Sequence, residues 1–509
     1  MNRRTFLGYG SLLAGAVPAA AAPAESLRLE EAEIGELRRH TAQTLTRYYT
    51  ARIRALNRRL GAVIEMNPDA MKIAAGLDAE RRKKQPRGPL HGIPVLIKDN
   101  IDTADRMMTT AGSLALEGSP ATRDSAVAER LRAAGAVILG KTNLSEWANY
   151  RSTHSVSGWS GRGGQTRNPY ALDRNPCGSS SGSGAAVSAN LCAVAVGTET
   201  DGSVVCPSSI CGIVGIKPTL GLIGGAGIIP IAHSQDTAGP MARTVTDAAI
   251  LLGALADPAS GKAEADYTRF LDPKGLRGKR LGVARKFFGI SPAVDKLMED
   301  AIAEMKRQGA DIVDPADPPS EWKFEDAEGI VLAYEFKTDL NAYLQGRGAT
   351  ARVRSLKDLI AFNEKERRRE MPYFEQELLE RAAEKGPLTD RVYLDALERS
   401  RLLSRTEGID AALQKHKLDA LIAPTAGPAW TIDWVNGDHD SGGCSTPAAM
   451  AGYPHITVPV GFIFGLPVGI SFFGAAWSEP ALLKLAYAFE QATKVRKAPR
   501  MLQEVRFEA

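Results

Sequence analysis

Residues 178–219 read GSSSGSGAAVSANLCAVAVGTETDGSVVCPSSICGIVGIKPT, and this stretch is the most informative part of the sequence. Glycine- and serine-rich turns alternate in it with apolar runs such as Ala193-Val194-Ala195-Val196. A flexible linker would stay polar throughout, whereas these apolar runs are typical of buried segments. We therefore interpret the stretch as a scaffold that holds two serine-bearing turns inside a protein core.

Glycine-rich turns also bind phosphates and nucleotides, but this stretch lacks the motifs of those sites. No Gly-Lys-Ser or Gly-Lys-Thr ends the first run, as a P-loop would require. The glycines also lack the Gly-x-Gly-x-x-Gly spacing of a dinucleotide site. The sequence around Ser203 is Thr200-Asp201-Gly202-Ser203-Val204, which is not the Gly-x-Ser-x-Gly turn of α/β-hydrolases. None of these classes is favoured.

Three segments of the stretch, residues 178–184, 197–203 and 211–219, resemble the signature of the amidase signature family. Members of that family hydrolyse or transfer amides. Residues 92–100, with the sequence GIPVLIKDN, resemble the family's lysine segment, and all four segments stand in the family's order. The resemblance implies an α/β amidase-signature fold, with a large mixed β-sheet core covered by helices on both faces.

The resemblance also implies a catalytic triad. Ser203 matches the nucleophile, Ser179 matches a bridging serine that the family holds on a cis peptide, and Lys98 matches the base. The oxyanion hole corresponds to the backbone N–H groups of Thr200, Asp201, Gly202 and Ser203.

The chemistry explains why these residue types are needed. A serine hydroxyl is a weak nucleophile and requires a base beside it. A lysine can serve when burial lowers its pKa enough to make it neutral near the working pH. Lys98 follows the apolar run from Ile93 to Ile97, so we expect its stem to enter the core. A lone lysine would ordinarily be a surface cation, and only its connection with the serine motifs reverses that interpretation.

The remaining chain alternates between apolar runs typical of strands and helical patterns, which favours an α/β sheet covered on both faces. We predict strands at residues 62–65, 136–140, 279–284, 418–422, 456–460 and 468–472, besides the lysine segment. We predict helices at residues 27–60, 67–84, 125–134, 245–255, 293–308 and 480–493. Together, residues 23–509 are expected to form a single amidase domain, with a helical, substrate-capping region at about 290–417.

Residues 1–22 differ from the rest of the chain. Arg3 and Arg4 precede a short apolar run, and alanine-rich sequence follows up to Ala22. This order predicts a twin-arginine export signal that is cleaved, and hence a periplasmic protein. The apolar run is too short for an uncleaved membrane anchor and ends at Pro18, so we expect no stable anchor.

Composition excludes several other functions. The 63 Lys and Arg residues against 59 Asp and Glu give a net charge of +4, which is too small to indicate nucleic-acid binding. The seven histidines are scattered without a His-Glu-x-x-His motif, so we expect no metal and no cofactor. The five cysteines are an odd number, so we expect mostly buried free thiols. The sequence leaves open whether Cys206 and Cys211 form a disulfide. We also expect the protein to be a monomer.

A long loop after Lys141 contains candidate substrate-binding residues, because such loops in compact domains are often functional. Ordinary packing explains any one of these residues equally well. Residues 234–243 resemble a further family segment, a turn that closes over the site. The candidates in and beyond the loop are Trp147, Asn149, Tyr150, His154, Trp159 and Ser180.

Residues 145–149, 162–170, 354–363 and 475–480 resemble the branch of the family that releases ammonia from C-terminal peptide amides. We therefore expect an amide hydrolase that forms an acyl-enzyme on Ser203. The alternatives are a broad aryl or fatty-acyl amidase or a cyclic-amide hydrolase of the same family. A component of an amidotransferase complex is less favoured, because Val205 stands where many family members carry an arginine.

Overall fold

An 11-stranded mixed β-sheet forms the centre of the molecule. The computed structural model describes residues 27–505 except Glu325, Ala349 and Ser441. The predicted export signal at residues 1–22 therefore lies outside the described residues. Among the helices of the described part, none is long and apolar enough to cross a membrane.

The strands are β1 (Val63–Met66), β2 (Pro94–Lys98), β3 (Val137–Thr142), β4 (Trp159–Ser160), β5 (Gly164–Gln165), β6 (Val194–Glu199), β7 (Val214–Lys217), β8 (Thr237–Ala242), β9 (Arg280–Val283), β10 (Asp311–Val313), β11 (Ala420–Pro424), β12 (His455–Ile463) and β13 (Leu466–Phe473). The α-helices are α1 (Ile34–Leu37), α2 (Ala42–Leu60), α3 (Ala70–Arg82), α4 (Ala126–Ala133), α5 (Ser181–Ser188), α6 (Val205–Ile210), α7 (Val245–Leu255), α8 (Pro292–Arg307), α9 (Ala327–Gln345), α10 (Leu356–Lys365), α11 (Arg367–Glu370), α12 (Glu377–Ala383), α13 (Arg391–Arg401), α14 (Asp410–His416), α15 (Thr446–Ala451) and α16 (Glu479–Thr493).

The sheet has the strand order β1-β3-β2-β6-β8-β7-β12-β13-β11-β9-β10, and β4 and β5 form a separate hairpin. Strands β3, β2 and β6 run parallel to one another, and so do β11, β9 and β10. The strands between these two groups pair antiparallel. The predicted mixed sheet with flanking helices is therefore confirmed.

The parallel pairing of β2 with β6 determines where the candidate site lies. Val95 lies opposite Val194, and Ile97 lies opposite Val196. The carboxyl ends of parallel strands meet at one edge of a sheet. Lys98, the last residue of β2, therefore comes next to the end of β6, from which the chain turns towards Ser203.

The helical region predicted at about 290–417 consists mainly of helices α8 to α14, but it also contributes one strand. Strand β10 pairs parallel with β9 at the end of the main sheet. Helix α9 packs into a buried apolar cluster through Phe336 and Leu340, and Trp147 from the long loop joins the same cluster. The region is thus attached to the sheet and to the loop after β3.

One predicted helix differs from the observed structure, and strand β8 is an observed element that was not predicted. The helix expected at 27–60 is interrupted, because α1 ends at Leu37 and α2 begins only after Thr41, whose side chain accepts a hydrogen bond from Thr44 N. Strand β8 was not predicted, since it contains Gly239 and Pro240, residue types that rarely occur inside a sheet.

Candidate active site

Lys98 is completely buried at the end of β2. Its Nζ donates to Ser179 Oγ at 2.7 Å, to Thr198 Oγ1 at 2.8 Å and to the Thr198 carbonyl oxygen at 3.1 Å. Asn100 Nδ2 also donates to Thr198 Oγ1, at 3.0 Å. Lys98 thus makes one contact with a candidate catalytic serine and two with strand β6.

Burial lowers the pKa of Lys98 to about 7, and the negative charges of Asp236 and Glu199 partly oppose this shift. A buried ammonium group loses its hydration, so burial favours the neutral amine over the charged form more than water does. A substantial share of Lys98 is therefore uncharged near neutral pH. In that form its nitrogen can accept a proton.

Ser179 follows a cis peptide bond between Gly178 and Ser179, as the family resemblance implied. The Ser179 carbonyl oxygen accepts a hydrogen bond from Ser145 N at 3.1 Å. The backbone is packed closely here, because a Cβ at Gly178 would lie 2.1 Å from Ser145 Oγ. The loop after β3 and the start of α5 therefore hold Ser179 in place beside Lys98.

Ser203 lies in the tight turn between β6 and α6. Glu199, at the end of β6, accepts hydrogen bonds from Val204 N at 2.7 Å and Val205 N at 2.9 Å through its Oε2. Gly202 has a φ of +74°, a conformation that glycine adopts without steric strain. Ser180 N donates to the Ser203 carbonyl oxygen at 3.1 Å, which joins the two serine-bearing segments.

The same turn presents unused hydrogen-bond donors. Within the described residues, the backbone N–H groups of Asp201, Gly202 and Ser203 have no acceptor in range. The Ser203 hydroxyl likewise makes no hydrogen bond to a described residue, and Ser203 is only 7% exposed. Adjacent free N–H groups beside a buried hydroxyl are the arrangement that can stabilise an oxyanion.

A disulfide between Cys177 and Cys206 connects the two serine-bearing segments, with the Cα atoms 6.2 Å apart. The expectation of mostly free thiols holds for Cys192, Cys211 and Cys444, which are buried and unpaired. It is wrong for Cys177 and Cys206.

The alternative pairing of Cys206 with Cys211 is also wrong. Cys206 lies in the first turn of α6 and Cys211 just beyond its end. At about 1.5 Å of rise per residue, five residues of helix separate two Cα atoms by more than a disulfide can span.

A cavity of about 430 Å³ adjoins the turn. One side contains Gly178, Asp201, Gly202 and the disulfide, and the other side comes from residues 425–446. The two sides are in direct contact, because Thr446 Oγ1 donates to Asp201 Oδ2 at 2.7 Å. A wider groove of about 580 Å³ near Arg130 and Tyr267 contains none of the candidate catalytic residues.

The structure places the four substrate-binding candidates differently. Asn149 lines the cavity, and its side chain accepts from Ser155 Oγ at 2.8 Å. Trp147 is 2% exposed inside the apolar cluster, and Tyr150 packs on Phe336 with ring centroids 4.8 Å apart. Ser180 is fully buried, and its Oγ donates to the Thr198 carbonyl oxygen at 3.0 Å.

His154 and Trp159, also named from the loop, do not line this cavity. The His154 side chain is exposed, while Trp159 is buried and packs against Phe374 with a centroid distance of 5.3 Å.

The segment at residues 234–243 reaches the catalytic turn. Gln235 Nε2 donates to the Thr200 carbonyl oxygen at 3.3 Å and to Glu328 Oε1 of α9 at 2.8 Å. Asp236 accepts a hydrogen bond from the Thr200 hydroxyl, and burial raises the pKa of Asp236 to about 6. The helical region is thereby connected to the turn that carries Ser203.

Sequence reasoning missed several residues of the site. Thr198 was not singled out, although it follows the buried apolar run and contacts Lys98. The cavity side at residues 425–446 was also missed. Its signal was the glycine-rich sequence around Gly427, Gly442 and Gly443, which is typical of a loop that approaches a ligand closely.

The chain is similar to known amidases along most of its length. A family model described as Amidase matches residues 44–483. A probable amidase from Arabidopsis thaliana is 42% identical over 498 residues, which cover 93% of this chain and 92% of that protein. The X-ray structure of native peptide amidase from Stenotrophomonas maltophilia is similar with a TM-score of 0.87 and 51% identity, covering 93% of this chain and 99% of that chain.

A glutamyl-tRNA(Gln) amidotransferase component from Moorella thermoacetica is also similar, with 35% identity over 469 residues that cover 88% of this chain and 92% of that protein. The identity is lower than that to the peptide amidase. The matched segment of the family model contains the whole sequence from Lys98 to Ser203. The chain therefore belongs to the amidase family and is an amide-hydrolysing enzyme.

Proposed function

We propose that the protein removes the amide group from the C-terminus of short peptides and releases ammonia. The observation that carries this proposal is the buried contact of 2.7 Å between Lys98 Nζ and Ser179 Oγ, beside the turn that bears Ser203. In this proposal Ser203 is the nucleophile and Lys98 is the base, which acts through Ser179.

The reaction has two stages. Ser203 Oγ attacks the amide carbon while its proton passes to Ser179, whose own proton passes to Lys98. The free N–H groups of Asp201, Gly202 and Ser203 stabilise the oxyanion. The proton returns through Ser179 to the leaving nitrogen, and ammonia departs from the acyl-enzyme. Water then attacks the ester carbon while one of its protons passes through Ser179 to Lys98. The same relay then gives a proton to Ser203 Oγ as its bond to the acyl carbon breaks and the acid leaves.

In the resting structure, no hydrogen bond joins the two serine hydroxyls of the described site. Catalytic hydrogen bonds often tighten only when substrate binds. The relay therefore requires the two hydroxyls to come within hydrogen-bond distance in the substrate complex.

The choice of a peptide amide rests on two supports. The solved structure of a peptide amidase is similar over nearly the whole chain. In addition, the cavity presents polar groups from Asn149, Ser157 and Asp438, whereas a fatty-acyl chain would require an apolar channel.

The test compares wild type with Ser203→Ala on a C-terminally amidated dipeptide, an aryl anilide, a long-chain fatty amide and glutamine. We expect product release from the peptide amide alone, with kcat lowered about a thousandfold or more in the variant. Ser260→Ala changes a serine in the short helical turn at Pro258–Ser260, outside the cavity, so it is the control and should keep most of the activity. Preference for the anilide or the fatty amide would reject the peptide substrate, and an active Ser203→Ala would reject the nucleophile.

A further inference from the structure

We propose that the cavity beside Ser203 selects against amides that carry a carboxylate near the scissile bond, with Asp440 as a specificity-determining residue. The inference rests on the proposed function, because it states which C-terminal amides the same site accepts.

The charge composition of the cavity is one-sided. Among the described residues that line it, three carry carboxyl groups and none is Lys, Arg or His. The carboxyl groups belong to Asp201, Asp438 and Asp440. A cavity of this kind offers an entering anion no positive charge.

Asp438 is surrounded by neutral hydrogen-bond donors. Its Oδ1 accepts hydrogen bonds from Ser157 N at 3.0 Å, Asn175 Nδ2 at 3.0 Å and Trp430 Nε1 at 3.1 Å. Burial raises the pKa of Asp438, and the hydrogen bonds oppose this shift because they stabilise the charge without cancelling it. In the described part of the chain, no basic side chain pairs with Asp438, so no cation neutralises its carboxylate when it is ionised.

Asp440 supplies a second charge, at the solvent side of the cavity. It is exposed, and its Oδ1 accepts from Gly442 N at 3.0 Å. No described cation forms an ion pair with it, since the neighbouring His439 contacts Asp433 instead. Asp440 is therefore a cavity carboxylate that can be changed without cutting a network of buried contacts.

The consequence is discrimination by charge. We place the substrate side chain next to the scissile amide in this cavity, because Gly202, the neighbour of Ser203, lines it. Like charges at separations below about 8 Å are weakly screened at physiological salt. Glutamate-like side chains are disfavoured, whereas neutral and cationic ones are accepted. The acid product carries a new carboxylate where the amide stood, so the same repulsion favours its release.

The test uses three N-acetylated amino acid amides with side chains of similar length: glutamate, norleucine and lysine. For wild type we expect kcat/KM to be about tenfold or more higher for the lysine amide than for the glutamate amide, and this ratio to shrink with added salt. Asp440→Lys should lower the ratio about tenfold.

Asp300→Lys is the matched control, because Asp300 is an exposed residue of α8 that pairs with Lys296, yet the substitution changes the net charge equally. Equal hydrolysis of the glutamate and lysine amides by wild type would overturn the inference. An unchanged ratio in Asp440→Lys would overturn the assignment to Asp440.

Calorimetric binding of the same three amides to Ser203→Ala separates this inference from the proposed function. If wild type hydrolyses none of the three, the proposed function fails. The binding order of the three amides then still shows whether the cavity discriminates by charge.

Discussion

Two buried lysines on neighbouring strands differ in their hydrogen-bond partners, and this difference indicates which one can act as a base. Lys98 and Lys141 are both fully buried, and burial lowers the pKa of both. Lys141 Nζ donates to the Ile101 carbonyl oxygen at 2.6 Å and to Thr109 Oγ1 at 2.8 Å, and carboxylates such as Asp99 favour its charge. Of the two, Lys98 alone contacts a candidate catalytic serine, so Lys98 is the one suited to be the base.

Replacing Lys98 by Met should lower kcat by about 10²–10⁴-fold, because the proton of the nucleophile then has no acceptor. In wild type, kcat/KM should fall as the pH decreases through about 7, since the protonated lysine cannot accept a proton. The measurement is a pH profile of amide hydrolysis.

Lys141→Met is the control for Lys98→Met. It removes an equally buried charge and should lower the melting temperature without moving the acidic limb of the profile. An acidic limb that persists in Lys98→Met with full kcat would contradict the assignment of the base.

At the level of elements, the disulfide matters because it joins the loop before α5 to helix α6. Cys177 stands two residues before Ser179, and Cys206 three residues after Ser203. Removing a native disulfide typically costs about 2–5 kcal/mol of stability. Here it would also release the two serine-bearing segments from each other.

The double variant Cys177→Ser/Cys206→Ser should therefore have a lower melting temperature and a lower kcat, with a smaller change in KM. A thiol reductant should lower the activity of wild type but leave the double variant unaffected. Cys211→Ser serves as the control, because Cys211 is buried just beyond α6 but unpaired. Equal kcat in wild type and the double variant would show that the bond does not position the serines.

Elements with a clear period were predictable from the sequence, and those shaped by distant contacts were not. Strand β2 was recognised because its consecutive buried positions are apolar and lead directly into Lys98. Strand β8 was missed because Gly239 and Pro240 argue against a strand, and only pairing with β6 and β7 on its two sides keeps the segment extended.

For the whole molecule, a pair of buried carboxyl groups connects the helical region to the rest. Glu370 accepts hydrogen bonds from Leu114 N at 2.6 Å and Ser113 Oγ at 3.1 Å, and Arg151 contacts both Glu146 and the Glu370 carbonyl oxygen. Burial, reinforced by the adjacent Glu146, raises the pKa of Glu370 to about 9. The folded protein therefore keeps a proton on Glu370 that the unfolded chain releases at lower pH.

This raised pKa predicts a pH-dependent stability. The stabilising contribution is complete below the pKa of an unfolded glutamate and is lost as the pH rises towards the elevated folded value. Glu370→Gln stays neutral, so the melting temperature of this variant should rise relative to that of wild type as the pH increases from about 5 to about 9. The exposed Glu364→Gln is the control, and parallel melting curves for Glu370→Gln and wild type would contradict the prediction.

Only part of the candidate site could be predicted from the sequence, because the rest of it, like part of the fold, depends on contacts between segments that are far apart along the chain. Lys98, Ser179 and Ser203 fall in segments with recognisable local sequence, and the structure brings Lys98 and Ser179 into contact. Residues 425–446 form the opposite side of the cavity but lie far along the chain, and no local pattern connects them with Ser203. Their place depends on the pairing of β11 with β13 and β9.

The position of β7 within the sheet has a consequence for synthesis on the ribosome. Its partner β12 pairs Ile456 with Ile216, so the two strands are far apart along the chain. At a translation rate of about 5–20 residues per second, β12 is synthesised roughly 10–50 s after β7. During that interval, the edge of β7 that later pairs with β12 has no partner strand. We therefore expect the nascent protein to depend on a chaperone to escape aggregation before translation ends.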